Sequence, residues 1–206
     1  SFQKLFLSGN SKFIIKDDKS FDDLTFNLIF NGNLNYKTFK GEDTVNFKNS
    51  KVYGEKNKED LDIIFNIPHY ETSINVVARI NLKEKQNSKV FVNLDSINVS
   101  KLLDLWPNDF QNSVYCWMGE NSKGVIQDLS ITSNIFDPLG KLGLNDLRGN
   151  FRFSKTQIEY MDSMPKIIDI SGQAEIKENK IIFSVEDGHS NGLKIEEGKV
   201  ELFDLD

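Results

Sequence analysis

The sequence predicts an all-β protein: a long antiparallel meander sheet curled into an open apolar groove, with one short amphipathic helical insert near 101–119. Three observations carry this. Apolar and polar residues alternate with a period of two down most of the chain, most cleanly over 61–67 and 74–82. Successive side chains of a strand point to opposite faces, so each run builds one apolar face. Short turn clusters separate the runs, which pairs neighbouring strands antiparallel. Phenylalanine, the aromatic with no polar handle, occurs 16 times against 5 Tyr and 2 Trp, which suits a surface kept dry.

The elements follow in order. Lys12 to Lys16 is a short strand and Leu24 to Phe30 a clean one. Asn31, Gly32 and Asn33 offer a tight hairpin turn into Leu34–Tyr36,. Val45 to Phe47 leads to Val52–Gly54, and the charged stretch Glu55–Asp60 reads as a solvated turn. Strands follow over 61–67 and 74–82, with Pro68 stopping the first ladder, and then over 90–94,. The rhythm then breaks. Asn98 or Ser100 caps a short helix over Lys101–Leu105, which Trp106 and Pro107 end,. Asn108 caps a second helix, whose Phe110, Val114, Trp117 and Met118 fall on one face,. This stripe docks the helix on the sheet or serves as a lid over an apolar groove. Gly119 or Gly124 ends it,.

Strands resume at 125–136, apolar on both sides. A loop containing Pro138, Gly140 and Gly143 follows. Further runs cover Leu147–Phe153, Ile158–Tyr160, Ile170–Ile176, Ile181–Val185, Leu193–Ile195 and 199–203. Turns are expected at Glu178-Asn179, Asp187-Gly188, Asn191-Gly192 and Glu197-Gly198,.

The alternation assigns the apolar lining residue by residue. The first runs contribute Leu24, Phe26, Leu28 and Phe30, then Leu61, Ile63, Phe65 and Ile67. Ile74, Val76, Ala78 and Ile80 continue it, followed by Val90, Val92 and Leu94. The later runs contribute Phe151, Phe153, Ala174, Ile176, Ile181, Phe183 and Val185. With about 35–40 side chains on such a face, at roughly 1.5–3 kcal/mol each, leaving it wet would cost tens of kcal/mol. A second sheet, the same sheet curling on itself, or a bound apolar ligand has to cover it.

Composition narrows the function classes. Net charge is −6 and no basic block occurs, so nucleic-acid binding has no electrostatic footprint,. A single cysteine, Cys116, excludes an internal disulfide; beside Trp117 in the amphipathic helix it reads as a small buried hydrophobe,. No apolar run reaches the roughly 18 residues of a membrane span. His69 and His189 stand apart from any metal-ligand spacing,. Ser163 and Lys166 match an S-x-x-K string, but Pro165 between them and the missing companion motifs make it a loop,. The expectation is a chain that is not an enzyme and uses no cofactor or metal. Both ends run in alternating segments and read as cut from a longer polypeptide.

One ordered series points to a family. Leu103, Leu105, Trp106 and Pro107, then Trp117, then Asn121, Gly124 and Asp128, resemble a signature of the large AsmA-like envelope proteins of the YhdP/TamB type. Gly149, Phe151, Phe153, Tyr160, Met164, Pro165, Gly172 and Ala174 continue the likeness, closed by the Gly188–Gly192 hairpin and Gly198. It covers about residues 97–206, dividing the chain into a β-groove segment, 1–96, and an AsmA-like segment, 97–206, expected to form one continuous sheet. The resemblance implies a periplasmic segment of an inner-membrane-anchored protein of a Gram-negative bacterium. It implies a partner, phospholipid, whose acyl chains the groove shields between the inner and outer membranes, and motif residues that are structural rather than catalytic. The alternative is a closed β-sandwich or barrel, a scaffold or interaction module in outer-membrane protein assembly.

Overall fold

The fold is taken from a computed structural model that describes residues 2–15, 21–38, 41–69, 72–84, 88–104, 112–135, 146–159, 165–177 and 180–203. Twelve strands and two short helices follow one another in chain order. The strands are β1 (Phe2–Ile15), β2 (Phe21–Thr38), β3 (Gly41–Asn57), β4 (Asp60–His69), β5 (Thr72–Asn81) and β6 (Ser88–Asn98). After α1 (Val99–Asp104) and α2 (Asn112–Asn121) come β7 (Ser122–Ile135), β8 (Arg148–Ile158), β9 (Ile167–Lys177), β10 (Lys180–Ser190), β11 (Leu193–Ile195) and β12 (Gly198–Leu202). The sheet runs in sequence order from β1 to β11, with β12 pairing β10 beside β11. The fold is therefore the expected antiparallel meander, and it does not close into a barrel.

The strands run longer than their apolar cores because several turn-like residues stay inside them. Asn31, Gly32 and Asn33 do not form the expected hairpin: β2 continues through them, opposite Phe6, Leu5 and Lys4 of β1. The Asn31 side chain instead accepts the Asn49 amide at 2.8 Å, where β3 bulges with Asn49 at φ 55°. Pro68 does not end the ladder either. It faces Ser73 in β5, while the β3–β4 pairing finishes at Asn66, so no bond is asked of its missing N–H,. The Glu55–Asp60 turn shrinks to Lys58 and Glu59. Asp187 and Gly188 lie within β10 at a register shift and not at a turn. The Asn191-Gly192 turn forms as expected, with φ 49° and 81°, the left-handed pair a two-residue hairpin requires,.

The expected helical insert consists of two helices. Val99 and Leu103, one turn apart, bury the same side of α1,. On α2, Tyr115 and Met118 pack against the cluster of Leu94, Ile97, Val99, Leu103, Ile126 and Leu129. The helix passes Gly119 and ends at Asn121, where the Ser122 hydroxyl donates to the Met118 carbonyl at 2.6 Å. Cys116 is exposed rather than buried, because α2 turns that side of the helix outward. The Asn108 cap, Trp106-Pro107, Phe110, the Pro138–Gly143 loop and Ser163 lie outside the described residues.

The chain divides into two compact units. The first comprises Ser1–Tyr36, Glu42–Asn93 and Thr132–Gly143; the second comprises Lys37–Gly41, Leu94–Ile131 and Leu144–Asp206. In the second, Gly172 is fixed by a backbone approach: a Cβ there would meet the Ser184 carbonyl oxygen at 2.1 Å and the Phe153 ring at 2.8 Å. Gly192 has open space around it. Gly192→Ala should therefore cost only the left-handed backbone, about 1–2 kcal/mol. Gly172→Ala should cost more, because the sheet itself must move. Urea unfolding of the two variants checks the order.

Candidate functional site: one apolar sheet face

Register fixes which side chains share a face in the first unit. Phe65 stands opposite Val52 on one side and Val76 on the other. Leu61 faces Ile80, Ile63 faces Ala78 and Ile67 faces Ile74. Ile63 also faces Gly54, and the Phe26 ring lies so closely over Gly54 that a Cβ there would sit 2.1 Å from it. Phe26 in turn stands opposite Ser11, with Leu28 opposite Gly9 and Leu24 opposite Phe13. Directly opposed residues point to the same side of a sheet. The expected residues of β2, β4 and β5 are thus brought onto one face across β1 to β5. Phe30 closes edge-on to Phe47, ring centres 5.1 Å apart. On β6, Val90 and Val92 alternate with the exposed Lys89 and Phe91.

Sequence reasoning missed Phe47, Val52 and Gly54 as members of this face. The bulge at Asn49 shifts the alternation by one residue, so odd positions before it join even positions after it,. An asparagine, tolerant of positive φ, was the available signal.

The opposite face of β4 and β5 is mostly polar, interrupted by the Ile64–Val77 pair. Arg79 grips Asp62 with two nitrogens, at 2.7 and 2.8 Å. Asn66 donates to Asn75 at 2.6 Å and to Ser73 at 2.9 Å, and the Tyr53 hydroxyl donates to Glu55 at 2.7 Å. The Arg79 hydrogen bond holds the Asp62 carboxyl below its ordinary range, and the bond to Glu55 raises the Tyr53 phenol.

The two units treat their apolar faces differently. In the first, every expected lining residue from Leu24 to Val92 is half-buried, and Val52 is the unit's one buried hydrophobic side chain among the described residues. In the second, Leu94, Phe153, Ala174 and Ile176 are buried, while Phe151, Ile181, Phe183 and Val185 are half-buried against them. There β9 supplies small residues, Gly172 and Ala174, between the Phe-bearing strands β8 and β10. The rings of Phe151, Phe153 and Phe183 lean in from both sides and meet edge to face at 5.9–6.4 Å, each such contact worth about 0.5–1.5 kcal/mol beyond burial. Of the expected helix stripe, Met118 packs on the helix-side cluster; the side chains of Val114 and Trp117 are outside the described set.

Among the described residues no group of three His, Cys, Asp or Glu side chains could hold a metal ion. One cleft, at the β3–β4 turn, is lined by the polar residues Asn57, Lys58, Glu59, Asp60 and Asn81. Among the described residues no helix is long and apolar enough to cross a membrane. No family model, curated protein or solved structure matches the chain.

Two expectations follow. Phe153→Ala should cost about 3–5 kcal/mol as a core truncation, whereas Phe65→Ala, on the half-wet face, should cost about 1 kcal/mol; chemical denaturation measures both. The Asp62–Arg79 pair stabilises above the unfolded aspartate pKa and is lost as pH falls through the lower folded value. The small stability advantage of the native chain over Asp62→Asn should therefore vanish on acidification, read as converging urea midpoints.

Proposed function

We propose that this chain is a segment of a periplasm-spanning, inner-membrane-anchored envelope protein of a Gram-negative bacterium. Its apolar sheet face shields phospholipid acyl chains during transfer between the inner and outer membranes. The observation that carries the reading is the half-buried apolar rows of β2, β4 and β5, which register sets on one face, with a mostly polar, hydrogen-bonded face behind β4 and β5. The ordered Trp-Pro, Gly and Phe series over about 97–206, which resembles AsmA-like proteins, supplies the cellular setting.

The chemistry needs no catalytic group. Each methylene moved from water onto such a face gains about 0.8 kcal/mol, so a whole acyl chain gains on the order of 10 kcal/mol. The four pairs Leu61–Ile80, Ile63–Ala78, Phe65–Val76 and Ile67–Ile74 carry no charged or hydrogen-bonding side chain, and the His69–Thr72 pair stands at their end. A chain lying there meets no deep polar trap and can slide, while its head group stays in water.

Native mass spectrometry of protein from a bacterial host should show bound phospholipid. Phe65→Glu and Val92→Glu should abolish lipid crosslinking yet leave the circular dichroism spectrum intact, because a half-wet face can tilt a carboxylate to solvent. Lipid-free native protein, with unfolding in both variants, favours the closed scaffold instead, in which the new charge is buried without a partner.

A further inference from the structure

Granted the acyl-chain reading, the structure divides the labour between the two units, and we infer that lipid contact is confined to the first. The second unit fills most of its own apolar face, with Phe151, Ile181, Phe183 and Val185 half-buried against the buried side chains. Eleven of the twelve buried hydrophobic side chains among the described residues belong to it. They form three clusters, one under the helices and two along β8 to β10.

The mechanism of the filling is steric. β9 presents Gly172 and Ala174, too small to reach their neighbours. The vacancy over them is taken by Phe151 and Phe153 from β8 and by Phe183 from β10, whose rings contact one another. An acyl chain entering there has to displace ring–ring contacts already made. α1 contributes Val99 and Leu103, and α2 contributes Met118, to the cluster beside β6 and β7. These helices therefore act as fixed packing and not as a moving lid. In the first unit the strands carry comparable side chains in register, yet only Val52 reaches full burial among the described residues. Along Leu61–Ile67 and Ile74–Ile80 an apolar guest adds contacts to half-buried rows, while Phe26 over Gly54 and Phe30 on Phe47 are ring contacts already made.

Benzophenone-alanine placed singly at Phe65, Val76, Phe183 and Val185 tests the division, using the whole chain and phosphatidylethanolamine vesicles. Photolysis should give lipid adducts at positions 65 and 76 and only background at 183 and 185. Because the probe itself can loosen the ring cluster, hydrogen exchange of the unaltered protein with and without phosphatidylethanolamine is the companion measurement. Slowed exchange should appear in β4 and β5 and be absent from β8 to β10. Adducts in both units with protection spread over both overturn the confinement and leave the lipid reading standing. No adduct and no protection anywhere, with no co-purifying phospholipid, removes the lipid reading and this inference with it.

Discussion

Strand register is the constraint on which everything else in this molecule rests. A one-residue slip would move every apolar side chain of a strand to the opposite face. The two faces of β4 and β5 hold that register together. Leu61, Ile63, Phe65 and Ile67 match Ile80, Ala78, Val76 and Ile74 on one side, while Asp62 and Asn66 match Arg79 and Asn75 on the other. A slip would cost the ion pair and the amide ladder at the same time as it wetted the apolar rows. Where the alternation does change phase, an identifiable bulge residue absorbs it, as at Asn49, Lys155 and Asp169.

Given that register, the two units reach different solutions to the same problem. A strand with large apolar residues at alternate positions must cover them. The second unit does so with its neighbours: small residues on β9 make room for the phenylalanines of β8 and β10, and two helices cover the residues near β6 and β7. In the first unit the equivalent rows remain half-buried. In the second unit, small residues at two central positions of β9 let three rings close over the face, although overall hydrophobicity is similar along both units.

The fold was legible because period-two alternation is a local signal and the meander requires nothing non-local. The same locality explains what was misread. Asn31, Gly32 and Asn33 carry turn chemistry, but pairing with β1 and the need to satisfy the Asn49 amide keep them extended. Asp187 and Gly188 read as a turn and lie instead at a shift in the β9–β10 register, with Gly188 buried beside Ile167 and Ile170. Cys116 read as buried because the helix was given one apolar stripe, while its packing residues are Tyr115 and Met118. Register sets the apolar residues of β2, β4 and β5 on one face of each run. What the sequence could not distinguish was a face filled by neighbours from one left half-open, because that depends on which strand stands beside which, and on the rings of Phe151, Phe153 and Phe183 meeting over Gly172 and Ala174.

The order of strands in the sheet has a consequence for how such a chain is made and altered. Almost every strand bonds only to those before and after it in sequence, from β1 through β11. Each can be laid down as it is synthesised, without waiting for a distant segment. Inserting or deleting a whole hairpin would likewise change the length of the surface while leaving every other pairing as it was, much as repeats are added to a solenoid. Length is then a quantity that selection can adjust in steps of two strands, fitting the molecule to a distance rather than to a shape.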